Sequence, residues 1–415
     1  MNKDFKQKLQ EREFPVLKDC QRVILKWATG CGKSKMTIDL INYAVDPTRS
    51  GHFKHKVLFV VAERAHINNW EEEFNKWNLQ RTNVCTDVCC YASLKKYKNY
   101  NYDVVVLDEA HHCFTEKRMA ALEELKQNLH PSYHIYLLSA TLSSGKQDMI
   151  EEIFGKFTTS TVTLKDAIKE DILPDPKVYV IGMDLDNTRR HQELKIGNDP
   201  NAPIVKWEDR NKYIFKNIPC IVRCTEYQKN LYLTNTMEYW KQRYERSHSE
   251  FMRTKWVNLG SQRKRFLGEL KTSIVYSLVK RFPKNRRFVC FCASVQQANM
   301  LSQENTISSK RSSALNQRII DAFNEKKINN IYAVGMITEG MNLSNIEAGV
   351  IAQLDGNERL FIQKMGRFMR SDSPIAYIFY YKDTQDEIYM KNALENIDPK
   401  FVKYITINQL NTIKL

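Results

Sequence analysis

A run of small residues beside a lysine and a serine is the part of this sequence best suited to hold a phosphate. It reads Trp27-Ala28-Thr29-Gly30-Cys31-Gly32-Lys33-Ser34. It follows the apolar run 23–25 and precedes apolar residues at helical spacing. Small residues at a helix N-terminus aim backbone N–H groups and the helix dipole at phosphate oxygens. The pattern predicts that residues 29–34 bind ATP, with Lys33 on the β and γ phosphates and the Ser34 hydroxyl on Mg²⁺.

The loop departs from the general phosphate-binding formula at one position. Trp27 stands where the formula has its first glycine, so a simple glycine-rich turn is the alternative interpretation.

A pair of carboxylates follows another apolar run. Asp108 and Glu109 come directly after residues 103–107. A carboxylate at the carboxyl end of a buried strand, in the sheet that carries the phosphate loop, is placed to hold a hydrated Mg²⁺. We therefore predict that Asp108 holds the metal and that Glu109 orients and deprotonates the attacking water. Without the phosphate loop, an acidic helix start stabilised by the dipole would be the preferred interpretation.

Two arginines near the other end of the chain suit the transition state of phosphoryl transfer. Arg367 and Arg370 are three residues apart and share one face of a helix. A guanidinium supplied from a second domain stabilises charge on the γ-phosphate and raises kcat by ~10³ to 10⁵. The alternative is a solvated basic helix end.

Short apolar runs separated by helical patterns must position these residues. Such runs predict parallel strands covered by helices on both faces. They occur at 23–25, 57–61, 103–107 and 134–138, and again at 177–181, 287–292, 331–335, 349–354 and 376–381. Residues 170–176 contain two prolines and predict a boundary. We expect an α/β domain at 1–172, a hinge and first strand at 173–185, and a second α/β domain at 186–415 with a basic helical insertion at about 225–285.

Composition limits the class of protein. The chain has 415 residues, 42% of them hydrophobic, and a formal charge of +15, so wholesale disorder is excluded and a polyanionic partner is favoured. No apolar run is long enough to span a membrane, and the first residues lack a secretory pattern. Its ten cysteines contain no Cys-x-x-Cys pair, which favours reduced core residues over metal ligands. We expect a soluble intracellular protein without a membrane partner.

Together with residues 28–34, the segment Asp108-Glu109-Ala110-His111 resembles motifs I and II of superfamily 2 helicases and translocases of the DEAH (DExH) type. The other family motifs follow in order at 60–70 (Ia), 90–94, 139–142 (III), 288–294 (IV), 338–343 (V) and 363–370 (VI, QxxGRxxR). The resemblance covers about residues 20–385 and implies two tandem RecA-like domains with parallel sheets and an ATP cleft between them. In size and layout the chain is similar to compact phage-type helicases. This similarity implies a cytoplasmic location, in the host cell if a phage encodes the protein.

The resemblance also assigns roles to residues that spacing alone leaves open. It implies that Gln363 joins the catalytic residues and that Gly340 contacts the nucleotide. It implies coupling between hydrolysis and movement through His111, Ser139 and Thr141. It implies contacts with the nucleic-acid backbone, which are blind to sequence, by Arg64, Tyr91, Ser93, Ser294 and Thr338.

The sequence departs from the family pattern at two places. Asn342 stands where many relatives have aspartate, and only Gln7 and Gln10 are candidates for the glutamine that reads adenine before motif I.

The function predicted from these residues is that of an ATP-dependent DNA helicase or translocase. The version of motif II in this chain favours DNA over RNA as the partner. Residues 241–287 add fourteen Lys/Arg against three Glu, interleaved with aromatic residues, which suits binding of a nucleic-acid strand. The alternative is that the aromatic residues form a helix core and the basic residues are merely solvated. The alternatives are a translocase that remodels duplex or branched DNA, an RNA helicase, and a nucleic-acid-binding module with a vestigial ATPase.

Overall fold

A computed structural model describes residues 3–46, 48, 54–79, 82–335, 343–354, 365–366, 371, 373–395 and 397–413. These residues form two large parallel sheets, one small sheet and the helices that cover them. Among the helices so described, none combines the length and the apolar character that crossing a bilayer would require. The predicted α/β fold with two parallel sheets is confirmed.

The first sheet carries the phosphate loop. Its six strands are all parallel and lie in the order β3-β2-β4-β5-β1-β6. The strands are β1 (Arg22–Trp27), β2 (His55–Val61), β3 (Val84–Cys90), β4 (Val104–Leu107), β5 (His134–Leu138) and β6 (Thr158–Val162). The helices are α1 (Lys3–Leu17), α2 (Lys33–Ala44), α3 (Ala65–Lys76), α4 (Glu116–Lys126), α5 (Ser144–Phe154) and α6 (Leu164–Lys169). Every residue of β4 is buried, as expected for a central strand covered on both faces.

After β7 (Lys177–Met183), the first strand of the second sheet, the chain forms an insertion. It begins with a small sheet of β8 (Gln192–Ile196), β9 (Ile204–Lys206) and β10 (Cys220–Cys224), with α7 (Arg210–Phe215) between the last two. The helices α8 (Glu226–Ser247), α9 (Glu250–Leu270) and α10 (Thr272–Lys280) follow. The sequence predicted a helical insertion but none of the three strands of the small sheet. The small sheet was missed because its strands bury few residues, of which Leu194 and Val205 are examples.

The second sheet has seven parallel strands in the order β12-β13-β11-β14-β15-β7-β16. Its remaining strands are β11 (Phe288–Phe291), β12 (Thr306–Ser308), β13 (Asn330–Val334), β14 (Ala348–Ile351), β15 (Ile375–Tyr381) and β16 (Val402–Ile405). Its helices are α11 (Val295–Leu301), α12 (Ser313–Asn324), α13 (Gln385–Leu394) and α14 (Ile407–Thr412). One buried apolar cluster includes Leu25, Leu173 and Met365, so it continues from the first sheet into the second.

Candidate nucleotide-binding site

The phosphate loop has the backbone geometry that its glycines predict. Gly30 and Gly32 both have φ of +95°, in the left-handed region that favours glycine. Helix α2 begins at Lys33, and the Lys33 ammonium donates a hydrogen bond to the Trp27 carbonyl oxygen over 2.8 Å. The ammonium therefore lies against the end of β1, at the mouth of the loop. Burial raises the pKa of the Cys31 thiol to about 11, so the side chain between the two glycines is neutral.

Trp27 has a structural role that explains why it replaces a glycine. Its side chain is fully buried, and its Nε1 donates to the Ser160 hydroxyl over 2.7 Å. Ser160 in turn donates to the Glu13 carboxylate over 2.7 Å. The indole thus ties the end of β1 to β6 and to α1, and holds the loop from behind.

Asp108 is fixed at the end of β4 by two donors. The Trp70 indole donates to its Oδ2 and the Glu109 backbone N–H to its Oδ1, each over 2.9 Å. The Tyr91 hydroxyl donates to the Asp108 carbonyl oxygen over 3.0 Å. Burial raises the pKa of the Asp108 carboxyl group, and the Trp70 hydrogen bond and the nearby charge of Lys33 oppose that rise. The carboxylate therefore lies within the field of the phosphate-loop lysine.

The residues predicted to couple hydrolysis to movement lie around one imidazole. Glu109 has φ of +45°, and its Oε2 is 3.4 Å from the Nδ1 of the buried His111. The Ser139 hydroxyl is also 3.4 Å from that Nδ1, and it accepts a hydrogen bond from the Thr141 backbone N–H over 3.2 Å. The structure therefore brings the proposed base and all three proposed coupling residues together.

Unpartnered oxygens at the site are consistent with a polar ligand. Thr29 Oγ1, Glu109 Oε2 and Thr141 Oγ1 are buried and accept or donate no hydrogen bond in the described structure. The Asp108 carboxylate and the Ser34 hydroxyl are hard oxygen donors, as Mg²⁺ prefers, and one carboxylate suffices for an ion that keeps water and phosphate ligands. No group of three or more His, Cys, Asp or Glu that could hold a metal occurs within the described ranges. The donor set thus fits Mg²⁺ bound together with a nucleotide.

Gly366, which lies between β14 and β15 in sequence, packs against the phosphate loop. A Cβ placed on Gly366 would lie 2.4 Å from the Thr29 Cβ, so any larger residue at position 366 would clash with Thr29. On the other side, a Cβ on Gly30 would lie 3.4 Å from Leu173, at the start of the predicted hinge. The cleft between the two sheets therefore closes on the loop.

Several predicted site residues lie outside the described residues. These are Thr338, Gly340, Gln363, Arg367 and Arg370, and the departure at Asn342 also falls there. Their roles stay predictions.

The described residues predicted to contact nucleic acid differ in their access to solvent. The Arg64 side chain is exposed, and Ser93 is half-buried and donates to the Cys90 carbonyl oxygen. Tyr91 is 2% exposed, and Ser294 is 8% exposed with its hydroxyl donating to Glu269 over 2.6 Å. Direct contact through Tyr91 or Ser294 would require uncovering these side chains. In this structure Tyr91 supports Asp108, a role that the sequence did not indicate.

Two further residues join the site through tertiary contacts. The Gln10 amide donates to the Gly32 carbonyl oxygen over 3.1 Å, and its Oε1 is buried without a hydrogen-bond partner. Gln10 was only a candidate in the sequence. Trp70 was missed, although one signal for it existed: it lies in the helix after β2, and β2 is the neighbour of β4.

Three family models match consecutive parts of the chain. Residues 2–88 match the res subunit of type III restriction enzymes, and residues 84–150 match the DEAD/DEAH box helicases. Residues 270–372 match the helicase conserved C-terminal domain. No curated protein matches the sequence significantly.

Solved structures of helicases share the fold. One is S. cerevisiae Dbp5 bound to RNA and ADP BeF3, with a TM-score of 0.60, 13% identity, and coverage of 98% of this chain and 91% of that one. Another is the Pyrococcus furiosus Hef helicase domain, with a TM-score of 0.52, 14% identity, and coverage of 94% and 98%. A third is the ATP-dependent type ISP restriction-modification enzyme LlaBIII bound to DNA, with a TM-score of 0.56, 13% identity, and coverage of 98% and 31%. At these identities the likeness shows the tandem RecA-like fold alone.

Proposed function

The chain belongs to the superfamily 2 helicases, which are nucleic-acid-dependent ATPases, and we propose that it uses ATP hydrolysis to move along or unwind DNA. The observation that carries the choice of DNA is the match of residues 2–88 to the res subunit of a restriction enzyme, a class of enzyme that acts on DNA. We assign the chain to the DEAH type from Asp108-Glu109-Ala110-His111, and its layout supports a compact, phage-type member. An RNA helicase is the second candidate, because a protein of the same fold is bound to RNA.

We propose that ATP lies between residues 1–172 and residues 186–415, with 173–185 as hinge and first strand. Lys33 leaves the Trp27 carbonyl oxygen and binds the β and γ phosphates. Ser34 and Asp108 would hold Mg²⁺, which neutralises phosphate charge when bound. Glu109 orients the attacking water and accepts its proton, since its Oε2 is buried without a hydrogen bond and Glu109 directly follows Asp108.

Closure of the cleft brings in the groups of the second sheet. Gly366 already lies against Thr29, and Arg367 follows Gly366 directly in sequence, which supports the proposal that this arginine acts on the bound nucleotide. Arg367 and Arg370 then stabilise charge on the γ-phosphate. In this proposal Gln363 faces His111 across the cleft and so couples closure to hydrolysis. The Nδ1 of His111 lies 3.4 Å from both the Glu109 Oε2 and the Ser139 hydroxyl.

The nucleic-acid track in this proposal crosses the carboxyl edges of both sheets. Arg64, at the N-terminus of α3, is exposed there and supplies a positive charge to a phosphate. Ser93 and Thr338 contribute backbone contacts, and Tyr91 and Ser294 join them once uncovered. Contacts of this kind carry no sequence information, as a motor that moves along DNA requires.

The test is ATPase stimulation of the purified chain at one fixed salt concentration. Single-stranded DNA, duplex DNA, a fork and single-stranded RNA are supplied at equal phosphate concentration, because affinity depends steeply on salt. We expect one of the DNA ligands to stimulate at least about tenfold more than RNA does, equivalent to about 1.4 kcal/mol. The Glu109→Gln variant should bind nucleotide without turnover and controls for contaminating ATPases. Stimulation by RNA alone would overturn the choice of DNA, and turnover in Glu109→Gln would remove Glu109 from its role as base.

Unwinding and translocation are separated on the same preparation. Release of a labelled strand from a fork reports unwinding, whereas displacement of streptavidin from a biotinylated end reports movement alone. The Lys33→Ala variant should fail in both assays, because the lysine that binds the phosphates is absent.

A further inference from the structure

A groove separates helices α4 and α5 on the first domain, away from the phosphate loop. Its volume is about 860 Å³. The positions of α4 that line it are 116, 119, 120, 123 and 126, which recur every three or four residues and form one face of the helix, and Gln127 lines it directly after the helix. On α5 the lining positions are 149, 152 and 153. The groove therefore runs between one stripe of each helix, and both stripes lack a covering element among the described residues.

The floor of the groove is apolar and adaptable. It consists of Phe114, Met119, Ala120, Met149 and Ile153. Met149 is 43% exposed, a high value for an apolar side chain on a helix that packs against a sheet. Methionine side chains are flexible and polarisable and are over-used at surfaces that bind peptides. The small side chain of Ala120 leaves room for another backbone to approach.

The rim of the groove is acidic, although the chain as a whole carries +15. Glu116, Glu123 and Glu152 line it with exposed side chains, and their carboxylates form no ion pair or hydrogen bond with any described residue. Lys126 also lines the groove, and Lys146 lies 5.2 Å from the centre of the Phe114 ring at one end. Three uncompensated carboxylates around an apolar floor repel a phosphate backbone and attract a basic peptide.

We propose that this groove is a docking site for a basic amphipathic helix of a partner protein. Apolar residues of the helix at positions i, i+3, i+4 and i+7 fill the floor, in the way that helices bind grooves in other proteins. Lysine or arginine residues beside that stripe pair with Glu116, Glu123 and Glu152. The excess of carboxylates on the rim favours a basic peptide over nucleic acid as the occupant.

The position of the groove links its occupant to ATP hydrolysis. Helix α4 begins shortly after Asp108 and His111, and α5 begins shortly after Ser139 and Thr141. A bound helix touches the two elements that directly follow the catalytic and coupling residues. Its binding should therefore change the ATPase rate as well as recruit the partner.

The probe for the test is a synthetic fluorescein-labelled helix of about 18 residues, long enough to be helical, with leucine on one stripe and lysine elsewhere. A matched peptide carries glutamate in place of lysine. Binding to the full chain is followed by fluorescence anisotropy. We expect saturable binding of the lysine peptide with a Kd below ~100 μM and none of the glutamate peptide. Absence of saturable binding, or equal binding of both peptides, would overturn the proposal.

Two charge-reversed variants localise the binding. The groove variant E116K/E123K/E152K should raise the Kd at least about tenfold, because all three partners of the lysines are reversed. The control variant E72K/E304K/E395K has the same net charge but reverses exposed carboxylates elsewhere, so it should change the Kd less than about threefold. All six substituted positions are exposed, and basal ATPase activity of both variants confirms folding. Equal Kd values for the two variants would contradict a site in this groove.

A second readout reports contact with the floor. Methyl labelling of the thirteen methionines gives one NMR signal for each, and Met119→Leu and Met149→Leu assign the two in the groove. The lysine peptide should shift these two signals more than any other. Shifts confined to other methionines would refute the proposal. So would a concentration-dependent dimer that disappears in the groove variant, because a second copy of this chain would then be the occupant.

Discussion

Replacing Gly366 with alanine measures how much catalysis depends on contact between the two halves of the cleft. The added Cβ would lie 2.4 Å from the Thr29 Cβ and 2.9 Å from its Cγ2, whereas ordinary contact begins at 3.4 Å. The two backbones must therefore separate by about 1 Å, a displacement that costs roughly 10²-fold in rate when it misplaces a catalytic group. We expect kcat/KM for ATP to fall about 100-fold, which corresponds to about 2.7 kcal/mol.

The assay combines steady-state ATPase with binding of a fluorescent ATP analogue. Binding should change less than about tenfold, because Lys33 and the loop N–H groups belong to the first domain and keep most of their contacts. Gly145→Ala is the matched control, since a Cβ there meets nothing within 4 Å. In a Thr29→Gly background the Gly366→Ala change should cost much less, because the clashing atom has been removed.

Wild-type activity in Gly366→Ala would refute the reasoning, because it would mean that the working enzyme never brings Gly366 against the phosphate loop. An equal loss in the wild-type and Thr29→Gly backgrounds would assign the effect to some other contact.

Other predictions concern the carboxylate of Asp108, the core of the second domain and the electrostatics of binding. Trp70→Phe removes the indole donor to Asp108 and should lower kcat about tenfold or more. Trp77→Phe, directly after the same helix, loses only a hydrogen bond to Glu73, which is not a site residue, and should leave kcat unchanged. Asp386→Ala leaves the fully buried Lys271 ammonium, now 2.5 Å from that carboxylate, without its partner, and should destabilise the protein by about 3–5 kcal/mol in thermal or urea unfolding. The double replacement Lys271→Met with Asp386→Leu should recover most of that loss, and no recovery would contradict a cost of unpaired charge. Binding to single-stranded DNA should weaken with salt with a log–log slope near −3.5, at ~0.7 for each of about five phosphate contacts, and a slope near zero would rule out backbone contacts.

The central strands were predictable because their residues are uniformly apolar. Strands β1 and β2 contain their predicted runs and extend them by one or two residues at the ends, β5 matches its run, and β4 begins one residue later than predicted, at Val104. Strand β3, at the edge of the sheet, was not predicted as a strand because polar residues interrupt it. Asp87 within it accepts a hydrogen bond from the Tyr102 hydroxyl over 2.7 Å, a partner that appears only once the sheet has formed. Edge strands and small sheets bury too little to leave a clear pattern in the sequence.

In the candidate site, too, residues whose roles follow from local sequence patterns could be predicted, whereas residues whose roles depend on tertiary contacts could not. Lys33, Asp108 and Glu109 could be predicted because the chemistry proposed for them depends on short spacings and on the ends of strands. Trp70 was missed because it reaches Asp108 through the order of strands in the sheet, which no local pattern encodes. Tyr91 was predicted to contact nucleic acid from the family resemblance, yet its side chain is buried and its hydroxyl donates to the Asp108 carbonyl oxygen.

The position of β7 in the second sheet has a consequence for synthesis on the ribosome. Lys177 in β7 pairs with Ile375 in β15, and Val178 pairs with Val402 in β16. The first sheet is complete once residue 162 has emerged, but β7 must wait for about 200 further residues before either neighbour exists. During that interval an apolar strand is exposed next to a finished domain, so we expect the nascent chain to depend on a chaperone at this stage far more than the full-length protein does.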